Sequence, residues 1–77
     1  MKKKIGIRRW STIQRGTVSN LKIDAFLTEV LKICKKHRFA IDHEDSHGSF
    51  IVVPWDKGEP DWLFNATDGT DEGTIIE

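Results

Sequence analysis

The side chains best suited to chemistry in this 77-residue chain lie within His43-Glu44-Asp45-Ser46-His47. His43, Asp45 and His47 form a 2-His-1-carboxylate set, the kind that holds iron or zinc with coordination positions left open. A His43/Asp45 pair could also serve as acid and base, but no nucleophile or oxyanion donor can be assigned beside it, and no fourth metal ligand is identifiable. The plainer reading is a turn-stabilising aspartate with surface histidines. Between these stands ligand contact: His43, Asp45, Ser46 and His47 offer donors and acceptors, and Trp55 or Trp62 offers a stacking ring. No catalytic residue, metal or cofactor is assigned on these grounds.

The element that must position these groups is a hairpin over Phe39–Trp55, FAIDHEDSHGSFIVVPW. Asp45-Ser46-His47-Gly48 has type I turn chemistry, with Gly48 where positive φ is needed, and predicts a three-residue loop closed by a glycine bulge. In that register Asp45 faces Ser49, His43 faces Ile51, Ile41 faces Val53 and Phe39 faces Trp55. Residues 51–53 then read as a central strand, apolar on both faces.

Around the hairpin, Lys3–Trp10 predicts a first strand with Ile5 and Ile7 on one face, followed by a polar loop over 11–19. Arg8, Arg9 and Trp10, with Lys2, Lys3, Lys4 and Arg15, combine phosphate-binding charge with a stacking ring, which opens a nucleic-acid reading. The long helix is predicted over Asn20–Arg38, where Ile23, Phe26, Leu27, Val30, Leu31 and Cys34 recur at spacings of three and four. Ser19, Asn20 or Asp24 would cap its start, and the run Lys35, Lys36, His37, Arg38 suits the negative end of the helix dipole. A short helix follows from Asp61 through Trp62, Leu63, Phe64 and Ala66. Residues 68–77 are expected to form an acidic, flexible tail, although Thr74-Ile75-Ile76 could add a strand to a sheet edge.

Composition sets the outer bounds. So short a chain supports one domain with a modest core, here residues 1–67, and association into a homo-oligomer is a common remedy for small cores. The single cysteine excludes an intramolecular disulfide and points to a reducing cytoplasm, and no run approaches transmembrane length. Net charge is zero, yet residues 1–38 carry eleven Lys plus Arg against two acids, while 39–77 carry one Lys against ten acids. The halves either face oppositely charged partners or neutralise one another within the fold or between copies. Together these pieces predict an α+β domain of βαββ type: a three-stranded sheet of order 2-3-1, packed on one long helix, with a short C-terminal helix.

The amphipathic helix, then Ile41-Asp42-His43-Glu44-Asp45-Ser46-His47-Gly48-Ser49-Phe50-Ile51-Val52, then Asp61-Trp62-Leu63 before Ala66, resembles a group of small uncharacterised proteins of tailed bacteriophages and prophages. Their hairpin typically reads HEDGHG followed by a small residue and Phe. The resemblance covers residues 25–66, and Ser46 stands where the group more often has Gly. It implies a phage origin and a host-directed or counter-defence role in the cytoplasm of the host cell. The expected function is therefore non-enzymatic binding, by a homo-oligomer, that occludes a host protein or sequesters a small, nucleotide-like signalling ligand. A small nucleic-acid-binding protein is the alternative, and a His/Asp metal-dependent hydrolase stands behind it.

Overall fold

The computed structural model describes residues 6–76. In chain order these form β1 (Arg9–Ser11), β2 (Gly16–Ser19), α1 (Leu21–His37), β3 (Phe39–His43), β4 (Phe50–Pro54), a 3₁₀ turn (Trp55–Lys57), α2 (Pro60–Phe64) and β5 (Thr74–Ile75). The chain is thus α+β with one main helix, but its strands form two small sheets, β1-β2-β5 and β3-β4.

Helix α1 lies where the spacing puts it, and its ends show why. Asn20 is the N-cap: its Oδ1 accepts the backbone N–H groups of Lys22 and Ile23 at 3.1 and 3.2 Å, which satisfies two donors that have no partner within the helix. At the other end Arg38 adopts a left-handed conformation, φ 65°, and its N–H reaches the carbonyls of Cys34 and Lys35. The buried stripe is Asp24, Leu27, Leu31 and Cys34. Phe26, expected on that stripe, is exposed, because one residue advances about 100° around the helix and carries it off the line through Leu27. Leu27 and Leu31 pack with Phe64 of α2, and Ile7, Ile23, Trp55, Leu63 and Ala66 close around them.

The first part of the chain departs from expectation. Residues 3–5 of the expected first strand lie outside the described residues, and the strand begins at Arg9. Residues 11–19, expected as a loop, turn back through Thr12–Arg15, so that β2 pairs antiparallel with β1, Arg9 opposite Val18 and Ser11 opposite Gly16. This local partner closes a far shorter loop than one beyond the helix, which favours it entropically. β5 pairs with the other side of β2, Val18 opposite Ile75. A three-stranded sheet therefore exists, but the order 2-3-1 is replaced by β1-β2-β5, and β4 is an edge strand rather than a central one.

The hairpin also shifts by one residue. The observed pairs are His43 with Phe50, Asp42 with Ile51, Ile41 with Val52, Ala40 with Val53 and Phe39 with Pro54. A Glu44 N–H to Ser49 O bond of 3.2 Å continues the ladder, which leaves a four-residue loop, Asp45–Gly48, in place of three. Gly48 does take positive φ, 70°, as the turn chemistry requires.

Two buried carboxylates hold the elements together. Asp24, fully buried in the first turn of α1, accepts from Arg9 Nη2 at 2.6 Å and from the Gly6 N–H at 2.8 Å. The other guanidinium nitrogen, Nη1, donates to the carbonyls of Phe64 and Ala66, and the guanidinium carbon lies 5.4 Å from the centre of the Phe64 ring. One arginine therefore joins β1, α1 and α2. Asp68, in the segment expected as a flexible tail, is also fully buried. Its Oδ1 accepts the Thr70 N–H and hydroxyl at 2.7 and 2.6 Å, and its Oδ2 accepts Asn20 Nδ2 at 2.9 Å. Its backbone continues the outer edge of β1 through Asp68 N–H to Trp10 O and Thr12 N–H to Asp68 O. Gly73 closes over it, since a Cβ there would come within 2.7 Å of both Asp68 Oδ2 and Val18 Cγ2.

These bonds generate two predictions. Replacing Arg9 with Ala leaves Asp24 buried without its cation and should destabilise the fold by about 3–5 kcal/mol, whereas Arg9→Met with Asp24→Leu should recover much of that loss; urea denaturation of both variants measures the difference. Hydrogen bonds from Thr70 and then Asn20 hold the Asp68 carboxyl below its ordinary value of 3.8. Its stabilising contribution is therefore complete above that value and is lost as pH falls through the lower folded value. Asp68→Asn should flatten this acid limb in urea midpoints taken down a pH series.

Candidate functional site

The hairpin end holds the chemistry-bearing residues, and the turn arranges them in two separate pairs. Glu44, the last residue before the loop, receives the Ser46 N–H on Oε1 and the His47 N–H on Oε2, both at 2.7 Å. These backbone donors, Ser46 first and then His47, hold the Glu44 carboxyl below its usual range. Glu44 rather than Asp45 is thus the side chain that organises the turn. Asp45 lies outside it and meets His43, with Nδ1 to Oδ1 at 2.7 Å, while His47 Nδ1 lies 3.2 Å from Glu44 Oε2.

Each imidazole therefore has its own carboxylate. His43, Asp45 and His47 do not converge, and among the described residues no three or more His, Cys, Asp or Glu side chains are placed to hold a metal ion. The one-residue shift of the strands is the reason: the extra loop residue puts His47 over Glu44 instead of beside His43. Ser46 is exposed in the same loop.

What the structure does bring together is His43 and Trp62. Their ring centres are 5.6 Å apart with the planes at 34°, so α2 supplies an aromatic wall to the hairpin. Trp62 remains 40% exposed and, with Leu63, Asn65, Ala66 and Thr67, lines an open groove of about 420 Å³. Trp55, the other expected ring, is withdrawn: it packs half-buried against the Leu27–Leu31–Phe64 core.

No family model, curated protein or solved structure matches this chain. The site is therefore defined by its own geometry.

The basic residues divide as well. Arg8 is exposed and Trp10 is 52% exposed, but Arg9 is buried in the ion pair with Asp24 and presents no charge to a phosphate. Sequence reasoning gave Arg9 a surface role and gave Asp24 only a capping role. The signal for the pair was present, because Asp24 lies three residues before Leu27 on the apolar stripe, and strand alternation sets Arg9 on the side of Ile7.

The larger omission is apolar. Phe50, Ile51 and Val52 are 63, 43 and 55% exposed, and Phe39 opposite them is exposed too. By strand alternation Phe39, Ile41, Phe50 and Val52 share one face. The hairpin thus leaves an apolar face open to solvent next to the polar turn.

Exposed histidines that stabilise only their own loop should be dispensable for folding. The double variant His43→Ala, His47→Ala is expected to keep its thermal stability to within about 0.5 kcal/mol, read by circular dichroism melting; a collapse would make these side chains structural.

Proposed function

We propose that this chain is a non-enzymatic binding protein that acts by occluding another protein, with the β3–β4 hairpin and the Trp62 groove as its docking surface. The observation that carries the reading is the exposed apolar hairpin face beside a turn rich in donors and acceptors, His43, Asp45, Ser46 and His47. Sequestration of a small ligand is the weaker arm, because such ligands favour concave sites that bury most of their surface, and the Trp62 groove is open. The resemblance of residues 25–66 to small phage proteins supports a phage origin and a host protein as the target, with the host cytoplasm as the setting.

A second reading has its own support. Arg8, Arg15, Lys32, Lys35 and Lys36 are exposed, and Trp10 beside Arg8 supplies a ring, a combination suited to single-stranded nucleic acid. Lys22 contributes less, since Glu72 lies 2.7 Å from its Nζ.

The test is capture from host lysate by immobilised protein, compared with Trp62→Ala and with His43→Ala, His47→Ala. Loss of one defined host protein from the eluate with both variants, each still folded, supports occlusion. Equal capture by all three proteins overturns the assignment of the surface. Binding of an oligonucleotide that falls steeply between two salt concentrations transfers the function to the basic side.

A further inference from the structure

Helix α1 carries a second apolar line, which the core does not use. The buried stripe runs through Asp24, Leu27, Leu31 and Cys34. Roughly 100° round the helix from it lie Phe26, Val30, Ile33 and His37, whose alternating spacings of four and three residues stack them along one seam. Phe26 and Ile33 are 63 and 60% exposed, His37 is exposed, and Val30 is half-buried at the margin of the core stripe. Such a seam is what one helix presents to another.

Charge edges the seam on its solvent side, where Lys22, Glu29 and Lys36 recur every seven residues. Lys22 is already held by Glu72 at 2.7 Å. Glu29 and Lys36 are both exposed and enter no ion pair among the described residues. They lie about 10 Å apart along the axis, too far to meet within one helix. The remaining lysines of the helix, Lys32 and Lys35, fall on its far side from the seam.

We propose that two copies of this chain associate through these seams, α1 against α1 in antiparallel order about a two-fold axis. Charge selects both the occupant and the register. When Val30 of one copy meets Ile33 of the other and Phe26 meets His37, Glu29 of each copy comes beside Lys36 of the other, and by symmetry the same ion pair forms twice. A slip of one heptad sets Glu29 against Glu29 and Lys22 against Lys36, which repel. A second slip draws on Lys22, which Glu72 occupies, and leaves Ile33 uncovered. Parallel order puts Glu29 beside Cys34 and forms no ion pair. The seam therefore complements itself in one arrangement. The facing parts come to on the order of 400 Å² per copy, against roughly 800 Å² per partner in a standard interface, which makes the dimer weak and concentration-dependent. It rests on α1 and not on the hairpin turn or the Trp62 groove, so it stands apart from the occlusion reading.

Sedimentation velocity of the purified chain, with no host component present, tests it. The expected result is a monomer–dimer equilibrium with Kd on the order of 10–100 μM. Ile33→Asp, at an exposed position, should give a monomer with an unchanged circular dichroism spectrum. Glu29→Lys alone and Lys36→Glu alone each set like charges together twice and should weaken the dimer about tenfold, and the two changes in one chain should restore it. Mixed in equal amounts, the two single variants should pair with each other, because each carries the charge that the other lacks. A chain that stays monomeric to millimolar concentration, a dimer indifferent to Ile33→Asp, or single variants that do not pair on mixing overturns the inference. So does a monomer that binds anionic vesicles and loses them on Ile33→Asp, which assigns the seam to a membrane surface. Failure here leaves host-protein capture unaffected, and failure of capture leaves this equilibrium unaffected.

Discussion

The ion pair between Arg9 and Asp24 is the constraint on which the rest of the fold depends. Both side chains are fully buried, and burial of two charges is tolerated only when their remaining donors and acceptors are also met. Asp24 satisfies this by taking the Gly6 N–H as well as the guanidinium. Arg9 does so by donating to the carbonyls at the end of α2, although its Nε has no partner among the described residues. The arrangement fixes where α2 lies against α1, hence where Phe64 enters the core and where Trp62 emerges beside His43. The apolar core is small, with Leu27, Leu31 and Phe64 at its centre. Polar bonds of defined direction therefore carry much of the specification that a larger core would supply by shape.

That economy has a visible counterpart on the surface. The fold measures 37 × 32 × 15 Å along its principal axes, a flat shape that leaves a large share of its apolar side chains uncovered. The exposed residues are not spread evenly: Phe39, Phe50, Ile51 and Val52 gather on one hairpin, while the β1-β2-β5 sheet is sealed along one edge by Asp68. The proposed docking face draws on this asymmetry, through the side chains of the hairpin.

Much of this was readable in the residues, and the parts that were not share a physical cause. Helix α1 was legible because its stripe, its Asn20 cap and its basic last turn agree with one another. The hairpin was legible because Gly48 and the flanking β-branched runs agree. The register was not, since loops of three and four residues both end on a glycine at positive φ, and one residue of difference moves His47 from His43 to Glu44 and reverses which residues share a face. The sheet order failed for another reason. Ile51-Val52-Val53 reads as a buried central strand from hydrophobicity alone, and nothing local to it reveals that β1 has already paired with β2. Asp68 was hidden by its neighbours, as Asp-Gly-Thr-Asp-Glu-Gly has the composition of a solvated tail, and the distant Asn20 amide and the Trp10–Thr12 backbone give it a place.

The position of Asp68 bears on how the protein comes into being. Arg9 bonds to residues 55 and 57 positions further along the chain, and Asn20 to one 48 positions further. During synthesis α1 and the β1–β2 turn emerge first, at a time when Arg9 has Asp24 but not the α2 carbonyls, and Asn20 caps its helix but has no anchor for its amide. The native arrangement closes only after Asp68 has been made. Until then the nascent chain carries an exposed helix stripe and later an open hairpin, and the acidic segment around Asp68, made after them, acts as a clasp that converts a set of local elements into one cooperative unit.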